Sequence, residues 1–159
     1  MTNGQAKSIS EKETGVLTLY SIQTGSLEKQ FTISHVIVAY EDFLNGNPYN
    51  TTFNVRVVSG NFAGFASFEY NIKEFIRFIH EIKELYDFKR QTVELNDICY
   101  GSYIQFNLSN LGHIHISGTL YGSAMIHSLK FEFDTDQTAF FSFCNALYKD
   151  FVTESNFTL

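Results

Sequence analysis

His113 and His115 stand two apart in a run of alternating apolar residues, so on a strand both imidazoles leave the same face and could share a metal ion. Two ligands do not close such a site, and a third must come from elsewhere in the fold. His127 does not supply it on parity, because it falls in step with Met125 and Leu129 on the apolar side of its strand. The pair is therefore read as part of a solvated strand face, with no metal. Asp134-Thr135-Asp136-Gln137 brings two carboxylates together, as acid and base roles would require, but it stands where a strand hands over to a helix. Asp and Thr there satisfy the orphan N–H groups of the first helical turn and meet the positive end of its dipole, and capping is the expected role. Cys144 falls on an apolar helical stripe, where a thiol is a small hydrophobe; Cys99 precedes Tyr100-Gly101 at a strand end, with no His near it in sequence. G-x-S-x-G, H-E-x-x-H, P-loop and dinucleotide patterns are absent. The sequence thus assigns no catalytic residue, no cofactor and no metal ligand, and it singles out no binding residues.

The elements that must position these groups follow from two periods. Residues 1–14 are polar and aperiodic and read as a flexible N-terminal tail, leaving 15–159 as a single globular domain. Strands are expected over Val16–Gln23, Phe31–Glu41, Thr52–Ser59 and Asn61–Tyr70, divided by Gly25, Gly46-Asn47-Pro48 and Gly60. The run Ile33–Tyr40, apolar on both parities apart from Ser34 and His35, reads as a strand covered on two sides. From Asn71 the period changes to 3.6: Ile72, Phe75, Ile76, Ile79, Ile82 and Tyr86 form one stripe, with Asn71 and Glu74 resembling a capping box. The plan then recurs, with strands near Gln91–Cys99, Tyr103–Ser109, His113–Leu120 and Met125–Phe133 and a helix over Gln137–Phe151. Phe75, Phe78, Ile79, Ile82 and Tyr86 fall on Phe140, Phe143, Cys144, Leu147 and Phe151; matching Phe68-Glu69-Tyr70 to Phe131-Glu132-Phe133 then requires a two-residue insertion at Asp134–Asp136. The fold class is α+β: mainly antiparallel sheet with two amphipathic helices, in a pseudo-repeat of strands then helix whose halves are 15–88 and 91–151.

Composition narrows the function classes. The 159 residues include 17 Phe and 9 Tyr and no Trp, so the core should be aromatic and the chain is not disordered. Lys and Arg number 11 against 17 Asp and Glu, a net charge of -6 that disfavours direct nucleic-acid binding and favours basic partners. Two cysteines make no disulfide framework, the start lacks an apolar leader, and no run approaches the ~20 apolar residues of a membrane span. A cytoplasmic location is expected, so the sequons at Asn50, Asn107 and Asn156 are discounted. By parity Tyr103, Gln105 and Asn107 would join His113, His115 and Ser117 on one polar sheet face, extended by Lys130 and Glu132.

The stretch Gly112-His113-Ile114-His115-Ile116-Ser117-Gly118-Thr119-Leu120, followed by Leu129-Lys130-Phe131-Glu132-Phe133-Asp134-Thr135-Asp136-Gln137-Thr138 and an aromatic-rich helix, resembles the C-terminal half of the WapI family of bacterial immunity proteins. The passage Val55–Tyr86 is similar to it too, so that the resemblance covers about the last 100 residues. It implies an immunity protein that binds and neutralises a cognate toxin domain, commonly a nuclease, in the cytoplasm and without chemistry of its own. Two other classes stay open: a carrier holding a small apolar ligand among residues such as Phe53, Phe65, Phe106 and Phe131, and an enzyme whose site assembles only in space. Among the carboxylates, Glu81, Glu84, Glu94, Asp97 and Glu132 are candidates for exposure toward a basic partner.

Overall fold

The computed structural model describes residues 7–8, 17–24 and 28–155. Alternating apolar positions build a first sheet from β1 (Lys7–Ser8), β2 (Leu19–Gln23), β3 (Lys29–Val38), β4 (Thr51–Ser59) and β5 (Phe62–Tyr70), every pairing antiparallel. β1 and β2 lie end to end along one edge of β3, so five strands make four rows. The short helix α1 (Tyr40–Leu44) joins β3 to β4, and α2 (Ile72–Tyr86) follows β5. The second sheet is a meander of β6 (Thr92–Asn96), β7 (Tyr103–Leu108), β8 (Ile114–Tyr121) and β9 (Ser128–Thr135), followed by α3 (Gln137–Tyr148) and one π-helical turn, Lys149–Thr153. The α+β class and its two repeats of strands and helix are thus the observed architecture.

Three details depart from expectation. β3 stops at Val38, and Tyr40 and Glu41 begin α1 rather than end a strand. β3 is also not covered on both sides: its register shifts between Ser34 and Ile37, with His35 in a left-handed conformation at φ 52°. That bulge inserts a residue, so Val36 and Val38 stay buried while His35 and Ile37 turn outward. Within the stretch expected to be a flexible tail, Lys7–Ser8 pairs with Val38 and Ile37 beyond the bulge; Val16, the first residue of the expected opening strand, lies outside the described residues.

Both long helices begin on side-chain caps. Asn71 accepts from the Lys73 N–H at 2.9 Å and Asp136 from the Ala139 N–H at 2.8 Å. Glu74 does not reach back to complete a capping box; it pairs with Arg77 instead. Because each strand runs to the residue before its cap, the two strand-to-helix passages align with no insertion: Ala66, Phe68 and Tyr70 correspond to Phe131, Phe133 and Thr135, all buried.

The halves interlock around one aromatic core. α2 and α3 pack on each other, while α2 also packs on β6 of the second sheet and α3 on β2 of the first. Phe31 of β3 meets Phe106 of β7 edge-on at 5.5 Å and Phe143 of α3 at 5.9 Å; Phe75 of α2 touches Phe53 at 5.0 Å and Phe151 at 5.2 Å. Ile79, Ile82, Cys144 and Leu147 are buried as the helical stripes require. Each such side chain contributes ~1.5–3 kcal/mol by burial, and each ring pair ~0.5–1.5 kcal/mol beyond it. Tyr20 closes the core at its C-terminal end, its hydroxyl donating to Asp150 at 2.8 Å.

Candidate partner-binding surface

The helices cover the inner side of the second sheet, so its outer side shows the alternate residues in cross-strand rows. One row reads Glu94–Gln105–Ser117–Glu132, its neighbours Thr92–Asn107–His115–Asp134 and Asn96–Tyr103–Thr119–Lys130. At a strand spacing of ~4.8 Å, the carboxylates closing the first row stand roughly 14 Å apart. Neutral side chains tie the face together: Thr92 donates to Asn107 at 2.8 Å, Asn107 to Gln105 at 3.1 Å, and Gln105 and Asn96 to the two oxygens of Glu94 at 3.4 and 3.3 Å. The polar face read from parity is therefore present. Behind this face, on the inward parity of β8, Gly118 lets β7 and β8 approach, since a Cβ there would lie 2.2 Å from the Tyr103 carbonyl oxygen.

The residues singled out for chemistry fall apart as a group. His115 is held by Asp134, Nδ1 to Oδ1 at 2.7 Å, and stands 3.7 Å from Glu132, whereas His113 sits exposed just before β8. Of the pair Asp134 and Asp136, only Asp136 caps α3; Asp134 belongs to the sheet face. His127 is exposed in the turn before β9, not on an apolar strand side. Among the described residues, no three His, Cys, Asp and Glu side chains gather as metal ligands would. Cys144 is buried and its thiol is pushed well above its ordinary pKa by that burial. Cys99 is exposed, yet its thiol donates to Glu69 at 2.8 Å, and this bond beside the carboxylate pushes its pKa up to about 11.

Asp97 is not exposed. It is 7 % accessible and accepts from three backbone N–H groups, Glu69 at 2.8 Å, Cys99 at 3.4 Å and Tyr100 at 2.7 Å, fastening the β6–β7 loop to the end of β5. Asn50 has a matching role in the first half: its side-chain oxygen accepts from Ile72 N and Thr51 Oγ1, both at 2.9 Å. Glu84, Glu94 and Glu132 are exposed; Glu81 is half-buried, 3.7 Å from Arg90.

Sequence reading missed an apolar groove where the sheets meet. Phe65, Tyr100, Tyr121 and Ala124 line a cavity of about 310 Å³, and Phe62 and Leu129 flank its continuation past Gly122. Phe65 is 56 % exposed because it shares the outward parity of Ala63 and Ser67, opposite to buried Phe68 and Tyr70; that parity was the available signal. The β8–β9 turn forms one wall. Ala124 and Met125 both adopt left-handed backbone, φ 54° and 57°, which costs residues with a Cβ of order 1 kcal/mol each, and the turn presents Met125 and Ile126 to solvent, the latter 76 % exposed. Phe53, Phe106 and Phe131 are buried while Phe65 faces out, so these four rings do not enclose one chamber.

Fold and surface together define a two-sheet α+β protein with an acidic, aromatic-edged outer face. Its class is set by sequence: the chain belongs to the Immunity protein WapI-like family, whose model matches residues 21–153 and so extends well before the last 100 residues. No curated protein matches the chain. Among solved structures, one described as "Crystal structures of trypanosoma bruciei MRP1/MRP2" is similar at TM-score 0.51 and 8 % identity, covering 90 % of this chain and 89 % of that one. At that identity the likeness concerns the fold alone.

Proposed function

We propose that this protein is a cytoplasmic immunity protein that binds and neutralises a cognate bacterial toxin domain of basic charge, a nuclease, and catalyses nothing itself. The family match over residues 21–153 carries the reading. A nuclease must hold phosphates with Lys and Arg, and an inhibitor with a net charge of -6 gains fast association with such a surface by steering. The chemistry-bearing residues support the absence of a reaction: His115 is engaged by carboxylates, and neither thiol is near its nucleophilic form at neutral pH. Residues 15–159 act as one unit in this reading, since the ring contacts between Phe31, Phe106 and Phe143 join both halves. Co-expression with the toxin domain encoded beside the chain tests it: survival and a stable complex are expected, and killing without a complex would refute it.

A further inference from the structure

Resting on that reading, we infer that the toxin domain docks on the outer side of the second sheet in two parts: the carboxylates of the sheet face set how fast it arrives, and the groove beside the β8–β9 turn sets how long it stays. β8 runs from one part to the other. Along β8 the outward residues are His115, Ser117, Thr119 and Tyr121, so Asp134 at one end and the groove at the other are roughly 20 Å apart at ~3.3 Å per residue. That span matches one patch of a standard protein interface.

The charge of the face fits a basic occupant. Glu94, Glu132 and Asp134 share it with one lysine, Lys130, and one imidazole, His115; Glu94 takes its hydrogen bonds from neutral amides. Glu132 and Asp134 are 78 % and 71 % exposed, which suits steering from a distance better than buried pairing. Among the described residues the outer side of the first sheet offers no such field: its rows Ser21–Thr32–Arg56–Phe65, Leu19–Ser34–Asn54–Ser67 and Ile37–Thr52–Glu69 carry one cation and one carboxylate.

The groove provides the complementary part. It has room for one large apolar side chain between Phe65, Tyr100 and Tyr121, and Met125 and Ile126 stand on a turn whose backbone is fixed in a costly conformation. Preformed apolar pockets ringed by polar surface are where contacts dominate dissociation, while charges on the rim act on association.

Binding kinetics with the co-expressed toxin domain separate the parts. The variant Glu94→Gln/Glu132→Gln/Asp134→Asn should slow association about tenfold or more at low salt and flatten its salt dependence, with little change in dissociation. Glu28→Gln/Glu41→Gln/Asp42→Asn, which removes equal charge from exposed positions elsewhere, should alter association far less. Phe65→Ala/Ile126→Ala should speed dissociation about tenfold or more and leave association nearly unchanged. All substituted side chains are exposed, and melting temperatures near that of the parent confirm the variants are folded. A parent chain that forms no complex overturns the immunity reading and this assignment with it. A parent that binds while either the sheet-face variant or the groove variant binds with unchanged kinetics overturns the assignment alone, as does a control variant that slows association as much as the sheet-face variant.

Discussion

The two sheets share a plan and an interior but not an exterior. Facing the helices, β3–β5 offer Phe31, Val55 and Phe68, and β7–β9 offer Phe106, Ile116 and Phe133, all buried. On the outer side the first sheet carries hydroxyls and amides tied in local pairs, Ser21 with Thr32 at 3.0 Å and Ser67 with Asn54 at 2.9 Å. The second carries carboxylates at both edges of a hydrogen-bonded lattice. The helices differ in the opposite sense: α2 alternates Lys, Arg and Glu on its exposed side, whereas α3 has no charged residue. Burial constrains the inward residues of both repeats alike, and only the outward ones are free to diverge.

The comparison breaks if the halves are independent. Phe106 belongs to the second sheet yet touches Phe31 of the first, Phe78 of α2 and Phe140 of α3. Phe106→Ala should therefore cost about 3–5 kcal/mol and leave one cooperative denaturation curve. Two separate transitions by far-UV circular dichroism and tyrosine fluorescence would show two domains. Next in size is the fastening between the halves. Asp97→Ala strands three backbone donors where the β6–β7 loop meets the end of β5 and should cost about 1–3 kcal/mol, read as a lowered denaturation midpoint at unchanged slope.

Much of this was legible in the sequence because it follows from period and parity. The switch to 3.6 at Asn71 placed α2, and the alternation from Tyr103 to Ser117 placed Tyr103, Gln105, Asn107, His115 and Ser117 on one polar face. What failed was local or three-dimensional. The bulge at His35 shifts parity without altering composition, and α1 is five residues, too short for a helical period to register. Asp97 looked like a surface acid because its three partners are backbone groups that carry no residue-type signal. The groove needed both sheets in place, although Phe65 announced its exposure by standing out of step with Phe68.

Alkali should sharpen the contrast between core and face. Tyr20 is 1 % exposed, and burial, reinforced by its bond to Asp150, raises its pKa far above the ordinary value of about 10. A raised pKa means that the folded state holds the neutral form more tightly than the unfolded state does. The associated stability is complete below about pH 10 and is lost as pH climbs toward the folded value. Tyr70, raised mainly by burial, acts in the same direction. Denaturation midpoints should thus fall progressively above pH 10, and Tyr20→Phe, though weaker at pH 7 by the lost hydrogen bond, should fall less steeply. A parent whose midpoint is flat from pH 9 to 11 would contradict this.

The smallest effect concerns the two thiols, which lie on opposite sides of the same contrast. Cys144 is core, and native protein should leave it unalkylated until unfolding exposes it. Cys99 is exposed, yet its pKa of about 11 makes its thiolate at pH 8 scarcer than that of an ordinary cysteine by roughly two orders of magnitude. Scarcity is not the whole rate, because a more basic thiolate is a better nucleophile; with a Brønsted slope of about 0.4–0.5, two pKa units return roughly tenfold. Iodoacetamide at pH 8 should therefore modify Cys99 about tenfold more slowly than an unperturbed exposed thiol, with the rate still rising toward pH 11. Glu69→Gln keeps an acceptor for the thiol but removes the carboxylate charge. It should bring the midpoint back toward the ordinary range and the rate toward the ordinary one. Equal rates in parent and variant would mean that the Cys99–Glu69 bond does not govern the thiol.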